Sequence, residues 1–532
     1  MAQRKARMAF TLKRIKGFLL ALTRSKRGLF GVAIIVVAVI IALVAPFLTP
    51  YNPISTTNLS SDWAAPLWAK YLPGGGGYSV NMIPVLESSL LQSPNPLKEF
   101  NITVTPFNLT QNVIVQRSAF GTTLNGSGSL KIICNTAGLP INSSITIQIT
   151  TDFYYPYSGS PGSFVPSGAI LISGINGIAV TPSLIFGQTW LTYTPSGTAT
   201  YNVTKFYFGP EIGGNPLHYA QETFTAQDYA GGPQVSTPLA AYMGWQSPSG
   251  IPSIQLQGTG ARVLPELFPK AASYSYGIDL TVTKLSQNGQ AIIYVDNLNL
   301  ALPGTSWGLL GTDESGRDVF TQLVYGTRIS LYVGLVAAAV SVVIGLLIGL
   351  VAAYVGGVVD EVLMRFTDAL LVLPGLPLMI VLITVLCAGQ YNLNIFIIVI
   401  GFLGWMGFAR VVRSQVLSLK ERPYVEAAKA VGAGTPYILW RHILPNVIVL
   451  VYVSLALAVP GAIVSEAAFS FLGFIDQRQM SWGRMLNDAT SNPKIWWVMV
   501  PPGLAIAVLS LSFILIGYAI DDILNPRLRA RR

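Results

Sequence analysis

The chain has 532 residues, of which 51% are hydrophobic and 11% charged, with a formal net charge of +10 and a mean hydropathy of +0.53. A soluble domain carries roughly 25% charged residues. An ordinary soluble enzyme is therefore excluded, as is disorder, which requires low hydrophobicity and high charge.

Residues 1–28 hold nine basic residues and no acid. An uncharged run follows, Leu29 to Leu48. At about 1.5 Å per helical residue it spans roughly 30 Å, one bilayer core. It is longer than the core of a cleaved signal peptide, and no small-x-small site follows. It reads as an uncleaved first span with the basic tail, 1–28, inside the cell.

Residues 54–300 are different. They hold eight basic and ten acidic residues, so the remainder of the chain carries +12. Asn101–Thr105 and Ile145–Thr150 alternate polar and apolar residues with period two, and Gly, Pro and Ser bound many such short runs. The expectation is an extracellular β-rich insertion, as a β-sandwich. Ser167–Gly187 is apolar, but its glycines and Pro182 argue against a span. Six N-x-[ST] sequons, at Asn58, Asn101, Asn108, Asn125, Asn142 and Asn202, all lie in this stretch and are candidate glycosylation sites. Trp63, Trp68, Trp190 and Trp245 could stack on sugars, although core packing is the commoner use of such residues. The low charge of an exposed domain suits an acidic medium.

The remaining apolar runs are Ile329–Val359, Ala369–Ala409, Ile443–Ser465 and Ile495–Ile520. The second has 41 residues and is broken by Gly389–Asn394, which makes it two spans joined by a tight outer turn. The total is six, which puts both termini on one side. Arg527, Arg529, Arg531 and Arg532 agree with a cytoplasmic C-terminus. Asp360, Glu361, Arg365 and Asp368 fall in an expected cytoplasmic turn with a single basic residue, a poor fit to the charge rule. Pro374, Pro377, Pro460 and Gly461 are expected to interrupt spans, and Glu466 and Asp368 read as acids at the membrane interface.

Between the fourth and fifth spans lies Arg422-Pro-Tyr-Val-Glu-Ala-Ala-Lys-Ala-Val-Gly432, continuing to Pro445. Pro423 suits the first position of a helix. Glu426 meets the positive end of its dipole, and Gly432 can end it in a left-handed conformation. Thr435-Pro436 reads as the N-cap and first residue of a second helix, which Pro445 should stop.

This helix, glycine elbow and helix resemble the EAA loop of ABC transporter permeases. Other segments resemble the C-type permeases of the dipeptide, oligopeptide and nickel branch. They are Arg24–Gly28 with Pro46 and Tyr51-Asn-Pro53; Leu310–Asp318 with Tyr325–Leu331; and Phe471–Phe474, Ser481-Trp-Gly483, Pro502-Gly-Leu504 and Asn525–Leu528. The resemblance covers 1–53 and 301–532, while in the family the loop corresponding to 54–300 is far shorter. It implies a six-helix α-helical polytopic permease, whose 301–532 core carries the coupling loop at about 414–445. Tyr424, Glu426, Ala427, Ala428, Gly432, Ala433 and Pro445 would then meet the ATPase. Gly311, Thr312, Asp313, Gly316, Arg317 and Asp318 would form the family's outer motif. It further implies a second, B-type permease subunit, two ABC ATPase subunits carrying ATP and Mg2+, and an extracellular substrate-binding protein. Gly311–Asp318 is no Walker A, since no Lys-[Ser/Thr] follows its glycines. No cofactor is expected on this chain.

With two cysteines (Cys134, Cys387) and two histidines (His218, His442), no zinc spacing exists and no metal site is expected. Two functions other than transport are open to such a chain. One is a receptor or adhesive ectodomain on a multispan anchor; an intact coupling loop argues against it. The other is a membrane enzyme acting through 54–300, which lacks a catalytic constellation. The net charge reports orientation across a membrane and needs no nucleic acid.

Overall fold

The computed structural model describes residues 21–73, 75–85, 96–118, 129–163, 165–176, 178–193, 199–208, 268, 270–287, 289–387, 391–474, 476 and 478–524, with the backbone alone over most of 165–208. The chain divides into two compact units, one of residues Met1–Thr57 with Arg317–Arg532, the other of Asn58–Gly316. Residues 301–316, assigned from sequence to the permease core, thus fall with the insertion.

The first unit is helical. Helix α1 runs Lys26–Leu48, with Ser25 accepting the Gly28 amide as its N-cap. Helix α2 runs Val319–Val355, α3 Gly357–Val372, α4 Gly375–Cys387, α5 Leu393–Gly404 and α6 Met406–Lys420. After these come α7 (Pro423–Ala430), α8 (Thr435–Ile438), α9 (Leu444–Phe471), α10 (Trp482–Asp488) and α11 (Trp496–Leu524). Four segments are long and apolar enough to cross a membrane: Lys26–Leu48, Val319–Val355, Thr435–Phe471 and Trp496–Ile523. Six spans result only if the bent pairs α3–α4 and α5–α6 each count as one.

Several sequence expectations are corrected here. The Ala369–Ala409 run folds as parts of two bent pairs. The α3–α4 pair turns through 97° at Leu373-Pro374. Leu373 is extended (ψ 137°), as a residue before proline prefers, and proline has no amide to continue the ladder. Pro460 interrupts nothing, because it lies inside the continuous helix α9. Asp360–Asp368 is part of helix α3, where a turn was expected. Glu466, read as an acid near a span end, is 2% exposed within α9, so its carboxyl is enclosed by protein.

Glycines set the spacing of the α2 contacts. A Cβ on Gly345 would meet the Trp405 carbonyl at 2.8 Å, and one on Gly349 the Ala409 carbonyl at 2.5 Å. Gly345-x-x-x-Gly349 therefore lets α2 and α6 approach backbone to backbone, as small-residue pairs do in membranes. The same device recurs at Gly31 of α1, against the Ser512 carbonyl of α11, while Gly334 makes room for the Val459 and Ile463 side chains of α9.

The described residues of the second unit form two β-sheets with a few short 3-10 turns. One sheet has the order β1 (Met82–Val85), β10 (Gln290–Leu302), β4 (Ser129–Asn135), β3 (Val113–Ser118), with β6 (Val165–Asn176) also paired to β10. The other has the order β2 (Asn101–Thr105), β5 (Ser144–Tyr155), β9 (Ala272–Lys284), β7 (Ile178–Tyr193), β8 (Ala199–Phe208). The named strand pairings are antiparallel. Ser167–Gly187, apolar enough to suggest a span, forms strand in β6 and β7.

Alternation explains the packing. Ile145, Ile147 and Ile149 of β5 are buried and stand opposite Val282, Leu280 and Ile278 of β9. Leu130, Ile132 and Cys134 of β4 stand opposite Val295, Ile293 and Ala291 of β10. All twelve join one apolar core shared by the two sheets. Cys134 is a free, buried thiol whose pKa is pushed up to about 12 by burial.

Candidate functional site

The Arg422–Pro445 segment is built from local rules. Helix α7 begins at Pro423, in its first turn, and carries Glu426 where negative charge meets the positive helix end. It ends in a Schellman motif: the Gly432 amide donates to the Lys429 carbonyl at 2.9 Å and the Ala433 amide to the Ala428 carbonyl at 3.0 Å. Gly432 has φ +85°. Thr435 is not the N-cap of the next helix. Gly434 takes that place in extended geometry, and Thr435 is the first helical residue. Nor does Pro445 stop that helix. A π-helical turn, Leu439–Ile443, carries α8 into α9, with Pro445 in the first turn of α9. The wider turn relieves the clash that a proline ring makes with a regular α-helical turn.

Val425, Ile438 and Ile443 are fully buried against Val412, Val416 and Leu419 of α6. That anchors the segment and turns its other face outward. Tyr424, Glu426, Ala427, Gly432 and Pro445 are exposed, and Ala428 and Ala433 half-buried. Trp440 is 74% exposed and Val431 89%. His442 lies between Tyr424 and Tyr437, with ring centroids 6.1 and 5.8 Å away. The surface suits docking of a protein partner; among the described residues no group of three or more His, Cys, Asp or Glu is placed to hold a metal.

Ion pairs that sequence reasoning missed fix the elements next to this loop. Arg413 of α6 donates from Nε and from an Nη to the two carboxylate oxygens of Asp360, both at 2.6 Å. Arg410 pairs with Asp368, and Arg365 with Glu361 at 3.1 Å. The acids that fit the charge rule poorly are thus matched by arginines. The signal was present as the i, i+3 spacing of Arg410 and Arg413, but no local pattern identifies a partner some 50 residues away. Lys420 Nζ donates to the carbonyls of Tyr354 and Ala353 at the C-terminus of α2.

A cavity of about 450 Å³ opens among these helices, lined by Ala337 and Ser341 of α2, Leu371 and Leu373 at the α3 break, Gly404, and Gly461 of α9, among others. A second, of about 20 Å³, has room for roughly one water and is lined by Glu466, Ser470 and Asp476 among others. Ser470 donates to one Glu466 oxygen at 2.8 Å, and the other oxygen has no hydrogen-bond partner.

The Gly311–Asp318 segment splits between two roles. Thr312 is buried; its Oγ1 accepts the Ala64 amide and donates to the Ser61 carbonyl, each at 2.7 Å. Asp313 Oδ1 accepts the Ser315 amide at 2.9 Å. Gly311 and Gly316 take positive φ, and a Cβ on Gly316 would meet the Ser60 carbonyl at 2.6 Å. These residues belong to the Asn58–Gly316 unit. Arg317 instead pairs with Asp488, and Asp318 caps α2 by accepting the Thr321 amide at 2.8 Å. Of the sequons, Asn58, Asn101, Asn108 and Asn142 are exposed, whereas Asn125 and the Asn202 side chain lie outside the described residues. Trp63 is half-buried, and Trp68 donates from its ring nitrogen to the Leu309 carbonyl at 2.8 Å. The Trp190 side chain, Trp245 and His218 lie outside the described residues.

The family described as the binding-protein-dependent transport system inner membrane component matches residues 345–530, and the N-terminal TM domain of oligopeptide transport permease C matches residues 14–66. The dipeptide transport system permease protein DppC of Bacillus subtilis is 41% identical over 233 residues, covering 43% of this chain and 71% of that protein. The chain belongs to the dipeptide and oligopeptide ABC transporter permeases. The permease is also 43% identical to the oligopeptide permease OppC of Escherichia coli K12 over 220 residues, 41% of this chain and 72% of that one. With OppC of Haemophilus influenzae it shares 41% over 219 residues, 41% of this chain and 70% of that one. A chain of the MetNI methionine ABC transporter overlaps it with TM-score 0.33 at 19% identity, over 40% of this chain and 96% of that one, too low to support any argument. The permease is thus a membrane subunit of a binding-protein-dependent importer.

Proposed function

We propose that this permease works beside a second, B-type permease above two ABC ATPases, and takes peptides, or a related solute such as an oligosaccharide, from an extracellular binding protein. The observation that carries this reading is the α7–Gly432–α8 surface. It is anchored by Val425 and Ile438 and exposes Tyr424, Glu426 and Ala427. ATP and Mg2+ are held by the partner ATPases; this chain has no Walker A sequence and contributes movement alone. ATP-driven closure of the ATPases shifts α7, and the helices re-gate the path as rigid bodies.

In the same reading both termini are cytoplasmic and the strand-rich insertion, 54–300, is an extracellular β-sandwich. Its exposed sequons are open to glycosylation. There the insertion would help hold the binding protein, contact the partner permease's outer region, or bind substrate such as glycans or peptides.

Copurification is the first test: both ATPases and the B-type permease should accompany the tagged chain, and a lone homo-oligomer would favour a receptor anchor. Glu426→Lys and Gly432→Pro should then abolish uptake in complexes that still insert. Unchanged uptake in both would refute the coupling role. Intact mass of the native protein reads the sequons.

A further inference from the structure

Arg413 and Asp360 form a two-bonded fork, with side chains 35% and 15% exposed. Such planar pairing of arginine and carboxylate is the geometrically strict kind of ion pair. Arg410, one helical turn before Arg413, holds Asp368. Asp360 and Asp368 are eight residues apart on α3, hence on one face, so two ion pairs clamp α3 along its length to α6. The same α6 is fixed to α2 by the Gly345 and Gly349 contacts and by Lys420 on the last α2 carbonyls. At its far end α6 leads through Glu421-Arg422 into α7. There the Arg422 amide donates to the Leu419 carbonyl at 3.2 Å and the Val425 amide to the Arg422 carbonyl at 2.9 Å.

The other end of the clamped helix reaches the cavity. α3 stops at Val372, the chain turns through 97°, and Leu370, Leu371, Leu373, Gly375 and Met379 wall the 450 Å³ space. The coupling surface and the cavity wall are thus joined by α6, two ion pairs and one helix.

We infer that Asp360–Arg413, supported by Asp368–Arg410, is the link that carries displacement of the coupling loop into the cavity wall at Leu370–Gly375. Asp360 and Arg413 are positioning residues, which act on the cavity wall through α3. With the fork intact, α3 and α6 move as one body, and the Pro374 break swings with them. With it cut, α6 moves alone and the wall stays where it is. The inference rests on the reading that α7 docks an ATPase.

The test uses the assembled transporter in lipid nanodiscs, with Cys387 replaced by Ser and spin labels on Val372→Cys, at the break, and Leu43→Cys, on α1. Trapping with ATP and vanadate should shift the label-to-label distance in the parent complex. Asp360→Asn and Arg413→Gln should lose that shift while ATPase copurification stays unchanged. The charge exchange Asp360→Arg with Arg413→Asp should restore it, a recovery that a general loss of stability would not produce. Arg413→Lys, which keeps the charge without the fork, should give a reduced shift. A full shift in the single variants, or its absence in a well-assembled exchange variant, would overturn the inference. Absence of ATPases from the parent complex would instead refute the docking reading beneath it.

Discussion

Arg317 Nη2 lies 3.1 Å from Asp488 Oδ2, with the two side chains 8% and 12% exposed. The pair ties the residue before the α2 N-cap to the last residue of α10. Removing one partner takes this ion pair from a nearly buried charge, and breaking a buried pair in that way costs up to about 3–5 kcal/mol, whereas an apolar pair of similar volume costs little. Arg317→Ala and Asp488→Ala should each lower the unfolding midpoint of the detergent-solubilised protein sharply. Arg317→Met with Asp488→Leu should recover most of the loss. Equal midpoints for the single and double variants would show the pair to be unimportant.

Gly349 makes a second, steric prediction. A methyl group there would sit 2.5 Å from the Ala409 carbonyl and 2.7 Å from Val412 Cβ. Neither a backbone carbonyl nor a β-carbon can rotate away, so α2 and α6 must separate. Overpacking of this kind costs about 1–3 kcal/mol. Gly349→Ala should reduce thermal stability by that amount, and Gly349→Leu should prevent recovery of folded protein. Gly461→Ala, where no atom lies within 4 Å of the added methyl, is the matched control and should behave as the parent.

At Gly432 the cost is conformational alone. Nothing lies within 4 Å of an added methyl, but φ is +85°. A left-handed residue with a Cβ costs about 1–2 kcal/mol. Gly432→Ala should fray the end of α7, seen as faster hydrogen exchange at the Ala433 amide, with the spans unaffected. Gly432→Asn should be milder, because asparagine tolerates this region.

Asp62 predicts a pH dependence. Its carboxyl is held above the usual aspartate range by burial first, then by the charges of Asp313 and Glu314. The folded state therefore binds the proton more tightly than the unfolded one. Stability of the Asn58–Gly316 unit should rise as pH falls through the raised pKa, and level off below the ordinary value of 3.8. Asp62→Asn should remove that slope and stabilise the unit at neutral pH. Hydrogen exchange at the Ala64 and Thr312 amides, which join these two segments, reads it locally. A slope that survives the substitution would assign it to other groups.

Much of the fold was legible where the cause is local. The period-two alternation at Ile145–Ile149 needs only the pleat, and it placed those side chains inside. Pro423 and Gly432 mark helix α7 because ring geometry and a missing Cβ act on a single residue. Thr435 and Pro445 misled, because a π turn took up the proline and the helix ran on. Similarly, the same residue type sits at a break at Pro374 and inside a continuous helix at Pro460, so a proline in an apolar run does not by itself locate a break.

By itself the sequence determined where apolar length and charge require a membrane and where alternation requires strands, because those patterns act over a few turns or residues. Tertiary structure alone decided that Asp360 meets Arg413, that Glu466 is buried, and that Gly311–Gly316 and Arg317–Asp318 serve different units. Ion pairs and burial depend on which distant elements come together, and packing selects those partners without leaving a periodic trace along the chain.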